Sequence, residues 1–503
     1  MSYYITTPIF YVNAAPHLGH AYTEIAADVL ARHHRARGEE TFFLTGVDEH
    51  GEPVTLAAAA AGVTPQELVD RNAERFRALT GSLEISNDFF IRTTDAEHKR
   101  LVQEFLQRVH DSGHVYKGFY EGWYCPRCAD FKTETEIGPG NSCLIHLIEL
   151  TREREETWFF RLSAFQERLE RLYAERPDFV LPEHAYNETR SFVAQGLIDV
   201  SLSRASLSWG VTVPWEPTHV FYVWFDALLN YVTALGYARP GESLERLWPP
   251  NLQVLGKDIS KFHTIYWPAL LMAGGLEPPR QLFVHGFLLG PDEAKMSKSR
   301  GNVLDPFAII ERQGADALRH YLFREVSYGQ DGAVSEEGFQ ARYDAELANE
   351  YGNLASRTLN MIERYCGGVV PAVATQAPLR EEFAGLFARV DELLARAELS
   401  AALEEIWRHV RRLNRYVEEK APWMLAKDEG RAGELREVLA SLAEGLRVVT
   451  VALMPYMPAK TLELLAALGA REQTARAYAA EGWGGRVSAL APLFPKGAPP
   501  EGA

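Results

Sequence analysis

Four cysteines among 503 residues are too few for a disulfide framework, which is how small secreted chains hold their shape without a large core. No apolar run approaches the ~18 residues needed to cross a bilayer, which excludes an α-helical membrane protein. The start, Met1 to Phe10, lacks the basic residues and apolar stretch of a secretory signal and reads as a first strand. A cytoplasmic location without membrane contact is expected. Basic residues are in deficit: 52 Lys and Arg against 68 Asp and Glu leave a formal charge of −16. That excludes a uniformly basic surface but leaves room for a local basic face. There is no internal repeat and no heptad array. What is present is ordinary globular composition, 47% hydrophobic and 24% charged, on a chain long enough for about three domains.

From residue 3 to about residue 330, short β-rich runs alternate with helical patterns, predicting an α/β domain with a largely parallel sheet. The runs are Tyr3–Thr7, Thr41–Thr45, His219–Val223, Leu252–Leu255 and Gln281–Val284. Four of them end in polar or glycine-bearing loops, Pro8–Gly19, Gly46–Gly51, Gly256–Asp258 and His285–Gly286, and such strand-end loops line the ligand crevice of an open parallel sheet. Between the second and third runs lies a stretch of different texture, cysteine-rich from Tyr116 to Leu150, which reads as an insertion. After Ser335 helical periodicity takes over, with breaks at Gly367–Pro371 and Lys427–Gly430, predicting a helical bundle. The tail from Ala491 is rich in Pro and Gly.

Two loops carry the chemistry. His17-Leu18-Gly19-His20 opens a helix whose apolar stripe is Tyr22, Ile25, Ala26, Val29, Leu30 and His33. Imidazoles at a helix amino end, where N–H groups and the dipole favour anions, suit nucleotide phosphates, and Gly19 allows a close approach. A bare tetrapeptide of this kind is more often a capping feature. Far along the chain, Lys295-Met296-Ser297-Lys298-Ser299 sits in a loop just past the last strand. Its ammonium groups can follow charge developing on a transferred phosphoryl group. A solvated basic loop is the plainer alternative, and the ordered pairing of the two loops on one α/β domain argues against it.

These motifs resemble the two signatures of class I aminoacyl-tRNA synthetases. Further segments narrow the resemblance to the methionyl-tRNA synthetase family: Pro8–Asn13, Asp48-Glu49-His50-Gly51, Tyr222–Ala227, Gly256–Ile259, Val284-His285-Gly286, Asn353–Arg357 and Ala421-Pro422-Trp423. The fold implied is a Rossmann-type catalytic domain, first half 1–115 and second half 216–334. An insertion at 116–215, a helical anticodon-binding domain at 335–480 and a tail at 481–503 complete it. The activity implied is activation of L-methionine with ATP and transfer to the 3′-terminal adenosine of tRNA(Met), including the initiator. His17, His20, Lys295 and Lys298 would be catalytic, and Gly19, Gly256, Lys257, Asp258 and Ser297 would join them in binding ATP, with Mg²⁺. The family resemblance places methionine among Ile9, Tyr11, Asp48, Trp224, Ala227, Leu228, Tyr231 and His285, with Asp48 on the α-ammonium. Leu228 stands where part of the family has proline.

The insertion holds Cys125-x2-Cys128, fourteen residues, then Cys143-x2-His146, the spacing of a tetrahedral, closed and therefore structural Zn²⁺ site. The family resembles this, carrying one or two such knuckles, and the single set here implies one zinc. Cys366, in an apolar helical stretch, is expected to be a core thiol. Trp407, Arg408, Arg411, Arg412 and Arg415 share one helix face, open equally to tRNA contact and to salt bridges with Glu404, Glu405, Glu418 and Glu419. The resemblance assigns the anticodon to Asn353, Arg357, Pro422 and Trp423. A monomer is expected, since a further dimerisation domain found in some relatives does not follow. Another class I synthetase, a nucleotidylyltransferase and a non-catalytic zinc-knuckle RNA-binding protein are the alternatives. The last leaves the paired phosphate loops unexplained, and the second leaves the helical domain so.

Overall fold

The structure is a computed structural model that describes residues 2–126, 130–132, 134–145, 147–236, 243–291, 304–471 and 474–496. The chain forms two compact units. One comprises Met1–Pro16, His34–Gly81 and Ile85–His285; the other comprises His17–His33, Ser82–Glu84 and Gly286–Ala503.

The first unit is built on a seven-stranded parallel sheet. Its strands are β1 (Ser2–Thr6), β2 (Phe10–Tyr11), β3 (Glu40–Asp48), β4 (Phe89–Arg92), β5 (Val180–Leu181), β6 (Leu252–Gly256) and β7 (Leu282–His285). The order is β5-β7-β6-β1-β3-β2, with β4 also on β3. Tyr4, Ile5, Phe43, Leu44, Val254 and Leu255 are buried, the near-continuous apolar character of strands covered on both faces. The carboxyl ends of β3, β1, β6 and β7 stand side by side, so the loops after them share one edge of the sheet.

The sequence run at His219–Val223 departs from expectation. It forms an antiparallel strand, Glu216–Phe221, with Ser203–Arg204 and Thr212–Val213, outside the parallel sheet. An apolar run records burial, and both kinds of sheet bury it. Strands β2, β4 and β5 have too few residues to show periodicity. β5 lies inside the stretch read as an insertion and pairs Val180 with Leu282 and Leu181 with Phe283, so the chain rejoins the main sheet there. The cysteine-rich part is carried by a long hairpin, Val115–Cys125 antiparallel to Thr151–Phe160.

The second unit is mainly helical. Helix α1 (Leu18–Ala36), up to His33, packs in it and buries Tyr22, Ile25, Ala26, Val29, Leu30 and His33 as its periodicity predicts. In the same unit Arg319 is fully buried and pairs with Asp28 of α1 at 2.6 Å. Its guanidinium also donates to the carbonyls of Leu83, Pro455 and Tyr456, so each of its three nitrogens has a partner. Helices Asn353–Cys366, Leu399–Lys420 and Ala432–Leu453 form the bundle. After Ser335 the described residues form isolated bridges but no strand. Cys366 is not the core thiol expected: it is the half-buried last residue of its helix, where Gly367 turns left-handed at φ 59°. No helix among the described residues is long and apolar enough to cross a membrane.

Candidate active site

Strand β2 divides its side chains between two clusters by alternation. Ile9 and Tyr11 face the main core of the first unit, while Phe10 and Val12 face a separate cluster with Val47 and Phe76. Tyr11 pairs in register with Asp48, the last residue of β3. Tyr11 meets the Trp224 ring edge-on at 6.2 Å between centroids, and Trp224 stacks on Phe262 at 3.8 Å. Trp224, Ala227 and Leu228 are buried on helix α2 (Val223–Leu228). Tyr231 Oη lies 2.8 Å from His263 Nε2, and His263 Nδ1 donates to the Ile259 carbonyl at 3.1 Å. Burial lowers the His263 pKa to about 4, so its neutral Nε2 accepts from the Tyr231 hydroxyl. His263 and Phe262 are functional candidates that sequence reasoning missed. His285, expected among the methionine-binding residues, stands beside Gly256, its register partner, where a Cβ would meet its ring at 3.6 Å.

Asp48 is 2% exposed. Its Oδ1 accepts the His50 backbone N–H at 3.4 Å. Burial first, and then the charge of Asp226, push its pKa well above the ordinary value. For Asp226 burial also opposes ionisation, but His50 and His98 outweigh it and hold the carboxyl at about 2. A polarizable aromatic wall beside a buried carboxylate suits a small apolar side chain carrying an ammonium group.

In the second unit the His17 and His20 rings stack at 3.8 Å. The His17 backbone N–H donates to His20 Nδ1 at 3.0 Å, and the Gly19 N–H donates to His17 Nδ1 at 3.1 Å. Two helix-end N–H groups expected to face an anion are thus taken up by the imidazoles. With Nδ1 accepting, the proton of a neutral ring sits on Nε2. Burial, then His17, holds the His20 pKa well below its usual value. A Cβ on Gly19 would lie 3.0 Å from the His17 ring, so glycine is needed for that ring and not only for a ligand.

Gly256 ends β6, and Lys257 and Asp258 follow exposed in a 3₁₀ turn. A Cβ on Gly256 would meet Asp258 Oδ1 at 2.7 Å. Lys295, Ser297 and Lys298 lie outside the described residues, as do Cys128 and His146. Cys125 and Cys143 are buried together with Leu150, against Trp123, Ile137 and Ile148. Half of the expected donor set therefore converges in one small cluster. Elsewhere in the first unit Glu156, Glu216 and His219 approach one another, but Lys117 Nζ bonds both carboxylates at 2.8 Å and already supplies the cation.

At the helix ends of the second unit, Pro422 is buried, Asn353 is exposed and Trp423 is 37% exposed. The Arg357 guanidinium lies 5.9 Å from the Trp423 ring centre and pairs with Glu418 at 2.6 Å. On Leu399–Lys420, Arg408 bonds Glu405, Arg411 bonds Glu404, and Arg412 bonds Glu382 and Glu419. Arg415 is exposed, and Trp407 is buried with its Nε1 donating to Glu350 at 2.7 Å.

The chain matches the family of tRNA synthetases class I (M) over residues 3–144 and 140–359. It is 44% identical over 476 residues to a methionine–tRNA ligase of Caldanaerobacter subterraneus subsp. tengcongensis, covering 94% of this chain and 74% of that one. Against a methionine–tRNA ligase of Bacillus subtilis the identity is 42% over 499 residues, covering 95% and 74%. Among solved structures, Mycobacterium tuberculosis methionyl-tRNA synthetase bound by methionyl-adenylate is similar at TM-score 0.95 and 41% identity, covering 98% of this chain and 100% of that one. Its free-state form is similar at TM-score 0.88 and 38% identity, covering 99% of both.

Proposed function

The chain belongs to the methionyl-tRNA synthetases of class I, and from that premise we propose how its own residues divide the work of a methionine–tRNA ligase. The reaction has two steps. The methionine carboxylate attacks the α-phosphorus of ATP and pyrophosphate leaves; the terminal ribose hydroxyl of tRNA then attacks the adenylate. No protein nucleophile is needed in the first step, so alignment and charge stabilisation carry it.

Asp48 binds the α-ammonium, and Ile9, Tyr11, Trp224, Ala227, Leu228 and Tyr231 enclose the thioether together with His263. Neutral His263 and Tyr231 form a buried hydrogen-bonded pair that holds the wall rigid. His17 and His20 donate through Nε2 to the phosphates, Gly256, Lys257 and Asp258 take the adenosine, and Lys295, Ser297 and Lys298 stabilise the departing pyrophosphate. Mg²⁺ accompanies ATP and offsets its charge. Cys125, Cys128, Cys143 and His146 hold one structural zinc, for which the burial of Cys125 and Cys143 in one cluster is the support. The helical segment from residue 335 to 480 binds the anticodon through Asn353, Arg357, Pro422 and Trp423, and an aromatic plane beside a guanidinium suits an unstacked base.

The observation that carries the methionine assignment is the buried carboxylate of Asp48, which pairs in register with Tyr11 at the aromatic wall. ATP–pyrophosphate exchange across the twenty amino acids tests it: exchange should depend on methionine alone, and exchange driven by another amino acid would move the specificity elsewhere. Lys298→Ala should lower that exchange by about a hundredfold or more while methionine binding stays nearly unchanged.

A further inference from the structure

We propose that Asp226 is a positioning residue for methionine recognition, a buried carboxylate that ties the aromatic wall of the pocket to the segment bearing Asp48. The inference rests on the assignment of Asp48 to the α-ammonium. Asp226 lies on α2 two residues after Trp224 and next to Ala227, and it is 1% exposed. Its Oδ2 accepts from His50 Nδ1 at 2.6 Å and its Oδ1 from His98 Nε2 at 2.8 Å. His98 Nδ1 lies 2.7 Å from Thr233 Oγ1, on the short helix that also carries Tyr231. His50 is two residues beyond Asp48, and its backbone N–H is the one that reaches Asp48 Oδ1.

One carboxylate therefore clasps the end of β3, the helix Ala96–Val109 and the helix bearing the aromatic wall. The approach is close: Gly51 runs at φ 94°, and a Cβ there would lie 3.3 Å from Val223 Cβ. Hydrogen bonds to an ionised carboxylate are strong and directional, and placement within about half an ångström is what a binding constellation needs. Both Asp226 oxygens are engaged by imidazoles, so Asp226 does not compete with Asp48 for the ammonium. It sets the distance between the anionic and aromatic ends of the pocket, and its charge makes an incoming cation beside Asp48 more favourable. Glu49, the other carboxylate nearby, is bound by Arg92 Nε at 2.7 Å and adds little.

The test compares methionine with 4-(methylthio)butanoate, which is methionine without its α-ammonium, by calorimetric binding to the whole chain. Asp226→Asn keeps the size but removes the charge and turns an N–H₂ toward one imidazole. Methionine affinity should fall about tenfold or more, the desamino analogue should change by less than about threefold, and the KM for ATP should hold. Equal losses for both ligands would make Asp226 a fold support, and unchanged methionine affinity would remove its role; either overturns the proposal. His98→Leu should repeat the ligand-selective loss, while His98→Gln, which keeps a donor at the Nε2 position, should restore it, so a misfolded Asp226→Asn does not decide the matter. Asp48→Asn should abolish discrimination between the two ligands. If it does not, the assignment of Asp48 fails; if it does and Asp226→Asn is silent, only the inference about Asp226 fails.

Discussion

Asp48 sits where its ionised form is disfavoured twice over, by burial and by the neighbouring Asp226 charge, yet the role proposed for it, holding an ammonium, requires it ionised. Its pKa in the free enzyme is raised, so acidification protonates it earlier than an ordinary carboxyl near ~3.9. The dependence of kcat/KM on pH reports groups of the free enzyme. Measured with methionine in pyrophosphate exchange, kcat/KM should fall as pH drops, with a midpoint above that ordinary value, and Asp48→Asn should lose this acid limb. A limb that survives in the variant belongs to another group. At this scale the sequence was legible where a motif carried the residue. Asp48 and Trp224 stood in recognisable segments, whereas His263 lies in the apolar helical run Phe262–Tyr266, where a histidine looks like packing. Only the closure of Tyr231 Oη onto its Nε2 sets it apart, and that contact joins residues thirty-two positions apart.

Among elements, those with long periodic patterns were readable. Helix α1, the main strands β1, β3, β6 and β7, and the helical bundle follow from apolar spacing. Strand Glu216–Phe221 was assigned to the wrong sheet because a buried run does not say which neighbour it pairs with. The arginine stripe on Leu399–Lys420 was visible, but one of the glutamates that occupies Arg412, Glu382, comes from a different helix, which no local pattern reveals. Among the described residues, the apolar cluster by the hairpin holds three buried side chains, Cys125, Cys143 and Leu150, which give a loop little support by burial. A closed tetrahedral metal would supply what the core lacks. Metal analysis of the purified chain should therefore find about one zinc, and Cys125→Ser should reduce it to near zero and lower the melting temperature by several degrees. Full activity and stability in a zinc-free chain would show that the hairpin stands on its own hydrogen bonds.

For the whole molecule, a charge of −16 opposes RNA at long range, so affinity for tRNA must come from short-range contacts at restricted places. Three arginines on the face of Leu399–Lys420, read from the sequence as open equally to tRNA and to salt bridges, are held by glutamates, and Arg357 pairs with Glu418 while lying near the Trp423 ring. On the proposed role of Trp423, stacking on that exposed ring, worth about 1–3 kcal/mol per base, carries more of the recognition than phosphate attraction does. If Trp423 reads the anticodon as proposed, Trp423→Ala should lower tRNA charging about tenfold or more and leave methionine-dependent pyrophosphate exchange nearly intact. Equal losses in both assays would mean that the substitution disturbs the fold. The same argument fixes the salt response. Each phosphate contact contributes about −0.7 to −0.9 to the slope of log affinity against log salt, so a chain relying on few such contacts should give a slope shallower than about −4. A steeper slope, together with retention of a tRNA of altered anticodon, would mean that general electrostatics holds the RNA and that the basic face, not the ring, is the reader.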